Sequence, residues 1–458
     1  MTGSVNEKKL NIKKNSVFTN KSFYISTYGC QMNENDSEKL SGMLTQMGFC
    51  ENNDMKESDL VIFNTCCVRE SAEEKVFGHL GLLKGIKKQK PDMKIAVCGC
   101  MMQQEKRVEE IKKKYQHVDL VFGTHNIHEL PEFIKKIFNH EKRIIAVKEF
   151  SDSITEKIPM KRKDKIKAWV KVMHGCNNYC SYCIVPYVRG REKSRDINEV
   201  VSEVKSLAEK GYKEITLLGQ NVNSYGRDLD KNLKFSDLLS KVNTISGIER
   251  IRFMTSHPKD LSDDLIYAVK NLNKACEHIH LPLQSGSTNV LKSMNRHYTK
   301  QEFTDLAKKI QDTIPDVSLT TDIIVGFPGE TDEDFEDTLD VLNKVRFDFA
   351  YMFIYSKRPG TPASSFIDQI PEDIKKERFN RLLNLQNKIS KEKNDRFCGL
   401  ELEVLVEGAS KNNENVFAGR TRTNKIVNFY SDKNNLSGKL VGVKIEIAKT
   451  WSLFGHLV

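Results

Sequence analysis

The sequence predicts an α/β protein in three successive parts: an open parallel α/β sheet, a partial (β/α)6 barrel and a small β-barrel. Three observations predict it. Apolar runs of strand length alternate with helical periodicity from residue 21 to about 140. The same alternation returns from 168 to about 396. After 397 the runs shorten and are separated by Asn, Gly and Ser. The 458 residues correspond to roughly three domains, and 39% are hydrophobic, enough for real cores. No apolar run reaches the ~18 residues of a membrane span. Residues 1–21 are polar and lysine-rich without an apolar stretch, so no secretory signal is expected and the protein is placed in the cytoplasm. A net charge of +10 permits an anionic partner such as nucleic acid, though on charge alone a lysine-rich soluble enzyme is the plainer reading.

In the first part, residues 22–27 read as a strand, and Leu40, Met43, Leu44 and Met47 give 35–48 helical spacing. Residues 59–64 (DLVIFN) are a buried-type apolar run, followed by a helix over 70–90. A third strand over 94–99 (KIAVCG) precedes a helix over 103–114; a fourth over 118–122 precedes a helix over 127–138. The expected division is a disordered tail at 1–20, an N-terminal domain at 21–140 and a linker at 141–167. Six basic residues, one acid and one proline crowd 157–167, which reads as a solvated connector, with an RNA-facing basic strip as the alternative.

Strands of the middle part are expected at 169–173, 214–218, 250–254, 278–283, 318–325 and 349–355. Asp196 and Glu199 mark a helix start, with Val200, Val201, Val204, Leu207 and Ala208 on one face. Six such units over 168–396 make a partial barrel whose site lies at the C-terminal strand ends. Short strands near 402–406, 416–420, 426–430 and 440–448 make a small β-barrel of 397–458.

Eleven cysteines in a reducing compartment point to metal or reactivity rather than disulfides. Cys176, Cys180 and Cys183 form a CxxxCxxC just after the first barrel strand. Three such thiolates suit zinc or an iron–sulfur cluster. Structural zinc wants four protein ligands, and only His174, at the strand end, is at hand as a fourth. A three-cysteine cubane instead leaves one iron open. Cys30, Cys66 and Cys100 each follow a predicted strand, and strand ends of an open sheet line one crevice, so a second metal site is expected there. Cys67 is the alternative to Cys66. Cys98 is read as core, and Cys50, Cys276 and Cys398 as small buried apolar residues.

The string from Gly175 to Glu192 (GCNNYCSYCIVPYVRGRE) resembles the radical S-adenosylmethionine (SAM) enzymes, in their methylthiotransferase branch. TYGCQMN, FNTCCVRE and VCGCMMQ are similar to that family's N-terminal domain, and GRTRTNKIVNF (419–429) to its TRAM domain, an RNA-binding module, in the tRNA-acting members. The likeness runs from 21 to 458. It implies two 4Fe–4S clusters, a SAM-binding one on Cys176, Cys180 and Cys183 and an auxiliary, sulfur-donating one on Cys30, Cys66 and Cys100. It implies methylthiolation of C2 of N6-dimethylallyladenosine at position 37 of tRNA, beside the anticodon. One SAM would supply the methyl group and a second the 5′-deoxyadenosyl radical. The family's other substrates are N6-threonylcarbamoyladenosine in tRNA and a ribosomal-protein aspartate. A non-catalytic, metal-bearing RNA-binding protein is the reading from another class. An electron-donating reductant and a monomer are expected.

Polar and glycine-rich strings end the remaining barrel strands. Position and resemblance together make Gly219, Gln220, Asn221, Ser256, Gln284 and Asp322 candidate SAM contacts. Gly219 would let backbone approach the ligand; a turn with solvated amides is the plainer alternative for Gln220 and Asn221. Asp322 lies within a strand and is either a ligand contact or a hydrogen-bonded buried carboxylate. His257 is a proton shuttle or a structural loop histidine. Arg189, Arg191, Arg420, Arg422, Asn428 and Phe429 are candidate RNA contacts, with Phe429 or Tyr430 stacking a base. The alternative for 419–429 is an ordinary hairpin with solvated ends.

Overall fold

The structure, a computed structural model, describes residues 18–67, 70–139, 142–150, 154–229, 233–410, 413–433 and 435–458. The chain falls into two compact units, residues 1–149 with 157–161, and 150–156 with 162–458.

The first unit is built on six parallel strands: β1 (Ser22–Thr27), β2 (Cys50–Glu51), β3 (Leu60–Thr65), β4 (Lys94–Gly99), β5 (Leu120–Phe122) and β6 (Ile144–Ala146). Their order is β2-β1-β3-β4-β5-β6. β3 is buried throughout, as its unbroken apolar run requires of a strand covered on both faces. Leu60 and Ile62 pack on one side with Leu40 of helix Gln31–Gln46 and Ile134 of helix Leu130–Phe138. Val61 and Phe63 pack on the other with Leu80 of helix Glu70–Gln89 and Ile111 of helix Glu105–Lys114. Each fully buried side chain of this kind contributes about 1.5–3 kcal/mol.

Several expectations are corrected here. Of the 1–20 tail, 1–17 lie outside the described residues, while 18–20 form a turn whose Phe18 is buried and stacks on Phe49 at 4.7 Å. The 141–167 linker contains β6, which pairs with β5. Its basic stretch is tied down as well: Lys161 pairs with Glu51, Arg162 with Glu203 and Lys167 with Glu407. Cys50 and Cys398 are exposed rather than buried, whereas Cys98 and Cys276 are buried.

The second unit opens with β7 (Lys167–Lys171) and a short antiparallel pair, β8 (Met173–His174) and β9 (Lys193–Ser194). Then come β10 (Glu214–Leu218), β11 (Arg250–Met254), β12 (His278–His280), β13 (Ser318–Val325) and β14 (Phe349–Ile354). They form two parallel triplets, β11-β10-β7 and β12-β13-β14, linked by one bridge from Ile251 to Ala275. β12 stops before the expected 283 because Pro282 has no N–H for the ladder. The two faces differ. Val170, Ile215, Leu217, Ile251, Phe253, Leu319 and Ile323 join the apolar core shared with the helices. The register puts Thr216, Arg252, His280, Thr320 and Asp322 on the opposite, lumenal face. A closed barrel fills that space with branched apolar side chains; this half-barrel places polar and charged groups there beside the aromatic side chains of β14.

β15 (Glu401–Ser410), β16 (Asn413–Arg420), β17 (Ile426–Tyr430), β18 (Leu440–Ala448) and β19 (Leu453–Leu457) close a small barrel in the order β15-β16-β17-β19-β18. Two arginines of β11 hold its β16–β17 turn. Arg250 Nη1 donates to the Arg420 carbonyl at 2.6 Å, and Arg252 donates to those of Thr421 and Arg422, both at 2.7 Å. Glu214 at 2.9 Å balances the buried Arg252 charge. Removing one partner of such a buried pair typically costs about 3–5 kcal/mol.

Candidate functional site

Cys30 caps helix Gln31–Gln46 after β1, Cys66 follows β3, and Cys100 follows β4. These strands are neighbours and parallel, so the three cysteines share one end of the sheet. The loops touch. A β-carbon at Gly29 would lie 2.8 Å from Cys66 Cβ, and Cys30 Sγ is 3.5 Å from Asn33 Oδ1. Asn33 Nδ2 donates to Asn64 Oδ1 and the Thr65 carbonyl; Asn64 Nδ2 returns bonds to the Asn33 carbonyl and Ser37. Cys67 lies beside both Cys100 and Cys66; its hydrogen bond to Cys100 and its burial hold its thiol well above the usual range.

The second trio occupies one loop. Gly175 has φ +72°, and a β-carbon there would collide with the Arg191 carbonyl, so glycine is required where the chain turns into Cys176. Segment 293–296 clamps the loop. Ser181 bonds the carbonyls of Met294 and Ser293, and Asn295 donates to those of Asn178 and Tyr179. Arg296, buried, sets Nη1 at 3.5 Å from Cys180 Sγ while its other nitrogens reach Tyr298 and the Pro282 carbonyl. Burial pushes the Cys176 thiol up to about 11; burial and the neighbouring Cys180 push Cys183 to about 12. Thiolates so poorly solvated need a cation among them, which suits a metal cluster. Among the described residues no three His, Cys, Asp or Glu side chains converge tightly enough to share one ion. A cubane gives each cysteine an iron of its own and spreads the thiolates wider than a single zinc does. His174 is buried in the β8–β9 pair.

At the barrel mouth the Val222 N–H binds the Thr255 carbonyl, joining the ends of β10 and β11, and Gln284 bonds backbone to Asp322 and Ile324, joining β12 and β13. Thr255 and Gln284 adopt φ of +71° and +69°, costly for non-glycine residues and typical of functional sites. Asn221 Oδ1, Ser256 Oγ and His257 Nε2 are buried without a partner among the described residues, as are both amide atoms of Asn223, a residue the sequence reading passed over. A polar ligand fits such a rim. Asn221 Nδ2 is already bound to Asp260 at 2.7 Å.

Other candidates change character. The space above Gly219 is filled by Met173, so that glycine serves packing rather than ligand approach. Gln220 is half-buried. Asp322 is only partly buried and lies 3.4 Å from His280, so it is not the sealed carboxylate of the alternative reading. Burial, with Arg296 and Lys259 nearby, drives His257 down to about 2, leaving it neutral. Arg189 is buried and does not face RNA; Arg191 is exposed. Arg422 spends its guanidinium on Glu277 and the carbonyls of Asn273 and Ala275, inside the protein. Phe429 is 0% exposed and stacks on Phe417 in the small barrel's core, whereas Tyr430 is 60% exposed. Asn428 is half-buried, and Arg420 pairs with Glu407 at 3.1 Å.

Residues 22–123 match the family described as Uncharacterized protein family UPF0004, 170–342 the Radical SAM superfamily, and 395–458 the TRAM domain. The chain is 60% identical over 452 residues to the tRNA-2-methylthio-N(6)-dimethylallyladenosine synthase of Acetivibrio thermocellus, covering 98% of this chain and 94% of that protein. It is 56% identical over 434 residues to the synthase of Clostridium botulinum, covering 95% and 96%. With that of Clostridioides difficile it shares 55% over 446 residues, covering 97% and 92%. Among solved structures, the radical S-adenosylmethionine methyltransferase TsrM from Kitasatospora setae shares the fold at a TM-score of 0.55 and 14% identity, over 75% of this chain and 77% of that one. Relatives more than half identical over nearly the whole length show that the chain belongs to the radical SAM methylthiotransferase family, among the tRNA-2-methylthio-N(6)-dimethylallyladenosine synthases.

Proposed function

We propose that the protein is a transferase that methylthiolates C2 of N6-dimethylallyladenosine at position 37 of tRNA. What carries the reading is 60% identity to a synthase of that name over 98% of the chain. Cys176, Cys180 and Cys183 hold the SAM-binding 4Fe–4S cluster, and Cys30, Cys66 and Cys100 the auxiliary one. A cluster held by Cys176, Cys180 and Cys183 would supply the one-electron reduction that cleaves SAM, and one held by Cys30, Cys66 and Cys100 would supply the sulfur. Arg296 brings a fixed positive charge to Cys180, and the 293–296 clamp keeps the three thiols in place. Asn221, Ser256, Gln284 and Asp322 border the SAM seat, the first two offering buried oxygens without a partner among the described residues. Adenine C2 is covered in a stacked anticodon loop, so the base must be turned into the half-barrel. Arg191, Arg420 and Asn428 face the tRNA, and binding weakens with salt. In this reading the N-terminal domain takes in β6, and the expected domains at 168–396 and 397–458 share one compact unit. No described helix is long and apolar enough to cross a membrane. The enzyme works as a cytoplasmic monomer with a separate electron donor.

Anaerobic reconstitution should give about eight irons per chain, as two cubanes require. With SAM, dithionite and tRNA carrying N6-dimethylallyladenosine, nucleoside mass spectrometry should find the 2-methylthio derivative. Product only from tRNA carrying N6-threonylcarbamoyladenosine would move the assignment within the family. Zinc without sulfide would end it.

A further inference from the structure

β14 reads FAYMFI, apolar at every position, and the structure sorts it into two faces. Ala350, Met352 and Ile354 join the core beneath the helices. Phe349, Tyr351 and Phe353 take the lumenal face, in register with Thr320, Asp322 and Ile324 of β13. Two of these rings stay open to solvent, Tyr351 at 45% and Phe353 at 41%. Tyr351 is held in place by edge contacts with Phe349 at 4.9 Å and His280 at 5.8 Å. Beside it is a cavity of about 320 Å³ with an apolar wall of Met254, Phe349, Tyr351, Ile426 and Trp451; its remaining lining is polar, from Ser318, Thr320 and Asp348 to Arg420 and Lys425. That volume lies in the range of small-ligand pockets. Tyr351 is close enough to feel Asp322 on one side and Arg420 on the other. The ring ladder therefore runs from the mouth to the cation-bearing turn of the small barrel.

We infer that this lumenal face of β14 seats the nucleobase taken out of the tRNA, with Tyr351 and Phe353 stacking on its ring and the adjoining cavity enclosing the alkyl group on N6. Exposed rings on a fixed strand are stacking platforms for an unstacked base. The apolar wall suits a branched hydrocarbon substituent, and Arg420 on the polar side suits a flanking phosphate. The inference rests on the function proposed above and adds residues to it.

The test measures binding of a fluorescent anticodon stem–loop RNA, with either N6-dimethylallyladenosine or adenosine at the target position, to the reconstituted full chain. Tyr351→Leu and Phe353→Leu keep apolar bulk and remove the ring; each should weaken binding of the dimethylallyl RNA about tenfold. Tyr351→Phe should retain it. Ile426→Trp, which fills the cavity from a partly exposed position, should erase the preference for dimethylallyl RNA, so that the two RNAs bind alike. Wild-type affinity in both leucine variants, or an intact preference in Ile426→Trp, overturns the inference. Wild-type chain that methylthiolates tRNA while these variants bind normally sinks only the seat. Wild-type chain that neither binds nor methylthiolates tRNA sinks the function beneath it.

Discussion

The two cysteine trios reach similar ends by opposite routes. One spans eight residues of a single loop, Cys176 to Cys183. The other draws Cys30, Cys66 and Cys100 from three strand ends. The compact trio nevertheless depends on a distant clamp, since Ser293, Asn295 and Arg296 lie more than a hundred residues further along. The scattered trio depends on strand order, because only the neighbouring of β1, β3 and β4 brings those ends together. Each trio mixes solvation. Cys30 is exposed while Cys66 and Cys100 are buried, and Cys180 is buried between the partly exposed Cys176 and Cys183. Closeness in sequence thus marks a site without building it, and long-range contacts set both geometries.

The sharpest way to break this comparison is to remove one trio at a time. Cys180→Ala should abolish 5′-deoxyadenosine formation and lower iron from about eight to about four per chain. Cys100→Ala should lower iron equally, yet leave 5′-deoxyadenosine forming while sulfur insertion stops. Iron assay and single-turnover product analysis separate the two. If Cys100→Ala also stops 5′-deoxyadenosine, the trios are not independent. Cys67→Ala should keep the iron that Cys66→Ala loses.

A smaller effect probes the stitching of the scattered trio. Asn64→Ala removes three buried hydrogen bonds, to Asn33 Nδ2, the Asn33 carbonyl and Ser37. Each such bond contributes about 1 kcal/mol. Urea unfolding of the cluster-free chain should show that loss, and the reconstituted variant should hold about four irons with normal 5′-deoxyadenosine formation. Full iron content would mean that strand order alone holds the trio.

Strand runs with strong character were readable in advance. Ser22–Thr27, Lys94–Gly99, Glu214–Leu218, Arg250–Met254 and Ser318–Val325 coincide with their expected spans. The edge strands Cys50–Glu51 and Ile144–Ala146 were not, because two or three residues carry no period. The cysteine spacings pointed to two crevices, but the Arg296 clamp and the Asn33–Asn64 stitching exist only once distant segments meet. Aromatic placement failed for a related reason. Phe429 stands next to arginines in sequence yet points into the barrel core, while β14 is apolar on both faces, so alternation could not tell which rings face the lumen.

The barrel mouth carries a buried titratable group, and pH should expose it. Burial, helped by Arg296 and Lys259, lowers His257 from 6.5 to about 2. Above pH 6.5 the ring is neutral in both folded and unfolded chains, and its contribution to stability is fully present. Below 6.5 the unfolded chain takes up a proton that the folded one refuses, so stability falls steadily towards pH 2. Between pH 7 and 5 the loss from this residue is about 2 kcal/mol. Urea unfolding of cluster-free wild type and His257→Gln at pH 7, 6 and 5 isolates it, because every other group titrates alike in both chains. The stability difference between the two should change by about 2 kcal/mol in favour of the variant as pH falls. Parallel curves would mean that His257 takes up its proton in the folded chain too, and that the rim around Ser256 and His257 admits more water than its burial indicates.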